Sequence, residues 1–433
     1  MTKDVEPGDD PASSRNFFLL ALYQVLMRTG WIFKTESIIM PAVLDTLSGQ
    51  AWMRGALPLL NRLGQSLPPL LAAGLVRRQP QKKWICCASV ALMSVMFVGL
   101  AIIWAVPDLE QNKAAPLLFL LCYGLFFVFL GVNQLSQLTL QGKLLLATRR
   151  GRLLSVANGA GAVTSVACAI VLLPLWLRER SGDFERLFFF TAALFAAGGV
   201  VILFLAEPAE APCDEHEHRT NAIGLAWRTL ERNVSFRRAA LVGLLYGTST
   251  ILFPHYQRMA QLEHFDLRRM IWWVAVQNIG TGLFSIPIGM LHERFGTRLV
   301  LRIGMFGICT IPPLALYLSQ PGTWEPLFNL VFLLVGLNPV MIRALSDYAL
   351  EVSPQEDHPQ YLGTMNLCIS APILLSVPAG WLMDRVGFQP VFVAVGIVLA
   401  IGWLCTFALS EPRKRVELPA RRALPSLGTE SVS

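Results

Sequence analysis

Gly289-Met290-Leu291-His292-Glu293-Arg294-Phe295-Gly296-Thr297-Arg298 fills a short polar gap between two long apolar segments. It is a glycine, then an acid followed by arginine, then a second glycine and a closing arginine. On either side the apolar residues run for about twenty positions, the length that crosses a ~30 Å hydrocarbon core as helix. The gap is therefore a turn between two membrane spans.

The same run length recurs along the chain. Of its 433 residues, 54% are hydrophobic and 15% charged. Backbone inside a bilayer must satisfy its own hydrogen bonds, and these runs are too long and continuous for the alternating strands of a barrel. The expected fold class is an all-α polytopic membrane protein. Twelve spans are placed near 16–44, 52–76, 84–106, 115–142, 153–177, 187–206, 238–260, 270–291, 299–319, 326–348, 361–383 and 388–410. Asp4, Glu6, Asp9 and Asp10 precede a first span that is overlong and charged, so no cleaved signal peptide is expected.

Basic residues set the orientation. One side receives Arg15, Arg77, Arg78, Lys82, Lys83, Lys143, Arg149, Arg150, Arg152 and Arg219. With them go Arg228, Arg232, Arg237, Arg238, Arg294, Arg298 and the basic tail from Arg413. The other side has fewer, so both termini are expected in the cytoplasm and the protein in the cell (inner) membrane. Spread over separate short loops, this charge points to topology and not to nucleic acid.

The chain divides into a tail at 1–15, a six-span bundle at 16–206, a linker at 207–235, a second bundle at 236–411 and a basic tail at 412–433. Trp227, Leu230 and Val234 alternate with Arg228, Glu231 and Arg232, an amphipathic helix for the cytoplasmic face. The halves repeat weakly at an offset a little over two hundred residues. Gly74-Leu75-Val76-Arg77-Arg78-Gln79-Pro80-Gln81-Lys82-Lys83 occupies the first-half place of the opening motif, with Arg78 where the acid belongs.

The stretch from Gly289 to Arg298 resembles the cytoplasmic loop signature of the major facilitator superfamily, a family of secondary transporters. Arg149-Arg150-Gly151-Arg152, Tyr348-Ala349-Leu350-Glu351 with Pro354, and Gly380-Trp381-Leu382-Met383-Asp384-Arg385-Val386-Gly387 are similar to further signatures of it. The resemblance implies two six-helix bundles related by a pseudo-twofold axis, alternating access, no enzymatic activity and no cofactor. It also implies a cytoplasmic gate of Gly289, Glu293, Arg294, Gly296 and Arg298, with Glu293 latching onto the N-terminal end of span eleven. Gly289 should admit a close neighbouring helix, and Arg294 and Arg298 should lie by the carbonyl end of span eight.

Ionisable groups within spans are few: Arg28, Lys34 and Glu36 in span one, Arg62 in span two, Arg343 and Asp347 in span ten. Such groups are costly in hydrocarbon unless they face a cavity or a partner. Glu36 and Arg62 lie at similar depth on adjacent antiparallel helices and can pair, and Arg343 and Asp347 share a face at four-residue spacing. Arg28 and Lys34 then lack an obvious acid. In the family, spans one, four, seven and ten line the central path. Span four here carries the stripe Gln134, Gln137 and Gln141. Span seven ends in Phe253-Pro254-His255-Tyr256-Gln257, where Pro254 should kink the helix. Span eight adds Gln277 and Asn278, span ten Asn338 before Pro339.

Substrate-binding candidates are therefore Arg28, Lys34, Gln134, Gln137, His255, Tyr256, Asn278 and Asn338. Against this, Arg28 can bond within the first bundle and Lys34 can snorkel to the outer interface. Ion-coupling candidates are Glu36 with Arg62, and Asp347 with Arg343. Glu36 comes first, because a carboxyl that loses its arginine inside a membrane takes up a proton readily; His255 can also titrate. Cys213, His216 and His218 form the one metal-like cluster, without the ligand pairs of a closed zinc site, so no metal is expected. No phosphate loop suggests ATP-driven transport. The expected function is secondary active transport of a small polar, anionic solute coupled to protons, by a monomer whose partners are the solute and the lipid bilayer. An exporter of amphipathic compounds and a non-transporting sensor are the alternatives; a polytopic enzyme would need a clustered acid or His site that the loops lack.

Overall fold

A computed structural model describes residues 11–145, 147–176, 183–209, 222–260, 267–320, 323, 325–354 and 357–411. The described residues are helical with irregular turns and no strand. Nine stretches among them are long and apolar enough to cross a membrane, and these correspond to spans three to six and eight to twelve. Spans one, two and seven are also helical, but more polar or interrupted.

Span one is two helices, α1 (Pro11–Ile32) and α2 (Ile39–Leu47), parted by turns over 33–38. Then follow α3 (Ala51–Arg78), α4 (Lys83–Ala105), α5 (Ala115–Leu144), α6 (Ala147–Trp176) and α7 (Phe184–Leu203), one for each of spans two to six. The linker contributes α8 (Ala222–Arg232). Span seven is α9 (Val234–Gly247), a 3-10 turn over Thr248–Leu252 and α10 (Phe253–Ala260). Spans eight and nine are α11 (Leu267–Phe295) and α12 (Thr297–Leu318). Span ten divides into α13 (Asn329–Val335) and α14 (Asn338–Val352), and span eleven into α15 (His358–Ser370) and α16 (Ser376–Val386). The last span is α17 (Phe388–Cys405).

Prolines mark several of these interruptions. Pro254 and Pro339 each stand in the first turn of a restarted helix, and Pro372 in the first turn of the 3-10 segment Ala371–Leu375 between α15 and α16, where a missing N–H costs nothing. Gly296 (φ 84) and Gly387 (φ 82) make the tight turns from α11 to α12 and from α16 to α17, a left-handed backbone that only glycine adopts freely.

Before the linker, α4 packs on α5 and α7, α3 on α5, and α1 on α6 and α7; after it, α12 packs on α14 and α17, and α9 on α15 and α17. The two sets meet mainly through α3 and α16, at the end of the molecule away from the chain termini. There a Cβ on Gly55 would strike the Ser376 carbonyl, and one on Gly380 the Ala51 carbonyl. Backbone meets backbone across this seam. Asp384 reinforces it by accepting from the N–H groups of Ala51 (2.8 Å) and Trp52 (3.1 Å), the amide end of α3.

Candidate functional site

The break in span one gathers the chemistry. Lys34 follows the carbonyl end of α1 and Glu36 precedes the amide end of α2, so each charge sits beside the helix pole that favours it. Lys34 is 1% exposed and does not reach the outer interface. Its Nζ lies 3.1 Å from the Trp31 ring centroid, 4.4 Å from Phe127 and 5.1 Å from Phe126, a cation held by aromatic faces.

Glu36 accepts a hydrogen bond from Asn61 on α3, Asn61 accepts one from Gln65, and Gln65 accepts one from Gln134 on α5 at 3.3 Å. A chain of amides thus joins spans one, two and four. Arg62 lies within electrostatic reach of both Glu36 and Tyr246, without a close ion pair among the described residues. Ser37 donates to Gln277 of α11 at 2.7 Å and ties the break to the second set of helices. Gln137 is half-buried on the same helix as Gln134.

Other candidates fall elsewhere. Arg28 is exposed, donates to Asn158 of α6 at 2.7 Å and lays its stem on Gly161. Asn278 donates to the Val274 carbonyl. Asn338 is buried between Tyr246 and Ser249 and donates to the Val335 carbonyl. His255 is wholly buried near Phe388, with both ring nitrogens unpartnered among the described residues, and Tyr256 packs edge-on against Phe392. Both face a protein interior in this conformation. Beside them Gln257 reaches Asp45 at 3.1 Å, and Asp45 pairs with Arg54, a second tie at the end away from the termini.

At the opposite end, the opening motif is only partly as expected. Gly289 has open space where a close helix was expected. The Glu293 side chain lies outside the described residues. Arg294 is exposed; Arg298 donates to the Phe407 carbonyl at 3.3 Å, so it serves the carbonyl end of span twelve instead of span eight. Asp347 has Arg343, His292 and Glu351 within electrostatic reach, and Glu351 accepts from Thr297 at 2.6 Å. Cys213, His216 and His218 lie outside the described residues.

Sequence reasoning passed over Glu207. Its carboxylate accepts from the N–H groups of Lys82 and Lys83, both at 2.8 Å, and from Lys143 Nζ at 3.0 Å. It caps α4 with a buried charge. The signal was available: Leu205-Ala206-Glu207-Pro208 returns as Leu409-Ser410-Glu411-Pro412. Glu411 rests against Gly296, at the start of α12. Asp384 was also legible, since Asp384-Arg385-Val386-Gly387 repeats the acid-Arg-x-Gly of the opening motif.

Residues 259–431 match the family model described as Major Facilitator Superfamily. Over 159 residues the chain is 26% identical to a probable L-galactonate transporter of Escherichia coli (strain K12). That stretch is 34% of this chain and 32% of that protein, so the chain spans about a third of the curated relative it matches. Among solved structures, a mutant of the nucleoside transporter NupG superposes with a TM-score of 0.70 at 15% identity, over 91% of this chain and 99% of that one. A POT family transporter in complex with 5-aminolevulinic acid gives 0.69 at 13% identity, over 92% of this chain and 96% of that one. At such identities the likeness is one of fold. The family match over 259–431, the likeness of fold over nine-tenths of the chain and the loop motifs make this chain similar to membrane transporters of the major facilitator superfamily, with no subfamily assigned.

Proposed function

We propose that the protein is a secondary active transporter that carries a small anionic solute across the cell (inner) membrane by alternating access, coupled to protons. Two six-helix bundles, 16–206 and 236–411, rock about the path between them, with the linker 207–235 and both termini in the cytoplasm and the monomer as the working unit. The observation that carries this reading is the broken first span, with Lys34 and Glu36 at its two helix poles and the amides of Asn61, Gln65 and Gln134 leading away. Discontinuous helices at a bundle interface are where transporters hold solutes and coupling ions.

Cations outnumber acids along this path. Arg28 is hydrogen-bonded only to a neutral amide among the described residues, and Arg62 and Lys34 share Glu36. A carboxylate-bearing solute would balance that charge, and the L-galactonate named for the partial relative is of this class. Glu36 exchanges the proton: with the anion bound near Lys34 and Arg62, its own charge is less well compensated and protonation is favoured. The seam of α3 with α16, together with the Asp45–Arg54–Gln257 ties, closes the outer end.

Uptake of sugar-acid anions and of their neutral sugars into proteoliposomes, with and without an inward proton gradient, tests this. Anions should accumulate only with the gradient, and Glu36→Gln should abolish accumulation while sparing exchange. A Glu36→Gln variant that still concentrates the anion would remove Glu36 from coupling. Equal uptake of neutral sugars would end the anion assignment.

A further inference from the structure

We propose that a slot between the linker helix α8 and span seven binds one anionic phospholipid, its phosphate on Arg237 and an acyl chain along Ala240, Leu241 and Leu244. The slot is a cavity of about 460 Å³ whose walls come from α8, α9 and, through Cys368, α15. That volume lies within the range of small-molecule sites.

Its lining has the polarity of a phospholipid. Arg237, Ala240, Leu241 and Leu244 stand at i, i+3, i+4 and i+7 and form one stripe along α9. At 1.5 Å rise per residue the guanidinium end and the last leucine lie about 10 Å apart along the axis, charge at one pole and hydrocarbon at the other. Leu241 and Leu244 are exposed large apolar residues, as is Trp227 across the slot. A soluble anion would leave these surfaces uncovered.

The facing helix suits an interface. Arg228, Glu231 and Arg232 of α8 are exposed, Leu230 turns into the slot, and Thr229 accepts a hydrogen bond from Gln360 that fastens α8 to the start of α15. Amphipathic helices of this kind lie in the headgroup plane. Glu231, the one carboxylate in the lining, already accepts from the Trp227 indole N–H at 2.6 Å. Arg238 is engaged with the Ala408 carbonyl, whereas Arg237 has no side-chain hydrogen bond or ion pair among the described residues. Arg228 and Arg232, exposed and next in sequence to the lining residues Trp227 and Glu231, add positive charge to α8, which favours an anionic headgroup.

The leaflet, though not the slot, rests on the proposed orientation of the termini. The test offers the full-length protein, in detergent, an equimolar mixture of phosphatidylglycerol, phosphatidylethanolamine and phosphatidylcholine, and counts retained lipid by native mass spectrometry. Phosphatidylglycerol should exceed phosphatidylcholine about fivefold, the ratio that about 1 kcal/mol from one arginine gives. Arg237→Gln should erase the preference and Arg237→Lys keep most of it. Leu244→Trp, which fills the slot, should lower retention of all three lipids. Free glycerol phosphate should not displace the bound lipid. Equal retention of the three lipids, a preference untouched by Arg237→Gln, or displacement by glycerol phosphate would each overturn the site. Anion uptake by the same variants is read separately, so loss of the lipid site with transport intact leaves the transporter reading standing.

Discussion

The two halves of the chain close on the same four-residue pattern and use it differently. Glu207 is buried, accepts from two amides at the start of α4 and pairs with Lys143. Glu411, 204 residues later, is half-buried against Gly296, with one carboxylate oxygen unpartnered among the described residues. The loop motif is degraded in the first half and intact in the second, yet the first-half loop is the better tied. Arg78 replaces the loop's own acid, and Glu207 supplies an acid from the end of span six. In the second half Arg298 and Arg302 turn to the Phe407 carbonyl, while Thr297 and His292 are met by Glu351. A repeated sequence can therefore keep its place in the fold and pass its bonds to neighbours.

Substitutions can break that contrast. The largest loss is expected for Glu207→Ala, which takes the buried carboxylate away from Lys143, a side chain only 9% exposed, and from two helix amides. Removing one partner of a buried pair costs about 3–5 kcal/mol, read as a lowered unfolding midpoint of the purified protein. A smaller loss should follow Gly296→Val, which forces a β-branched residue to φ 84 against the Glu411 carboxylate, at about 1–3 kcal/mol of backbone strain. Least is expected of Glu411→Gln, within about 0.5 kcal/mol of the parent, as for substitutions that break no buried bond. Equal midpoints for Glu207→Ala and Glu411→Gln would erase the asymmetry. A drop confined to Glu411→Gln would reverse it.

The helical spans were legible because length and apolarity are set by the bilayer, and Pro254 and Pro339 announced two of the breaks. The break at 33–38 was not, since the apolar pattern of Ile32 and Phe33 resumes at Ile38 and Ile39 after only four polar positions with no proline or glycine among them. Depth counting sets Glu36 level with Arg62 of span two but cannot choose between neighbouring positions. Residues 61 and 62 differ by about 100° around a helix, and the phase brings Asn61 to the carboxylate while Arg62 reaches it only electrostatically. Gln65, one turn further, is uncharged and so does not stand out within a span as the ionisable groups do. Glu207 escaped because the boundary drawn at 207 assigned it to the linker. His255 looked like a path residue from its polarity alone, and burial beside Phe388 is a matter of rotation about span seven that no local pattern fixes.

Lys34 and Glu36 also bear on how the chain enters the bilayer. Each ionised side chain near the middle of an inserting helix opposes partition by about 2.5–3.5 kcal/mol. Neither span one nor span two is among the stretches apolar enough to cross unaided, whereas spans three and four, which follow them, are the most apolar pair of the first half. Early insertion is then a cooperative event. Once α5 is in place, Gln134 completes the amide chain from Glu36 through Asn61 and Gln65, so the polar break that opposes partition of the leading spans is met by protein in place of lipid.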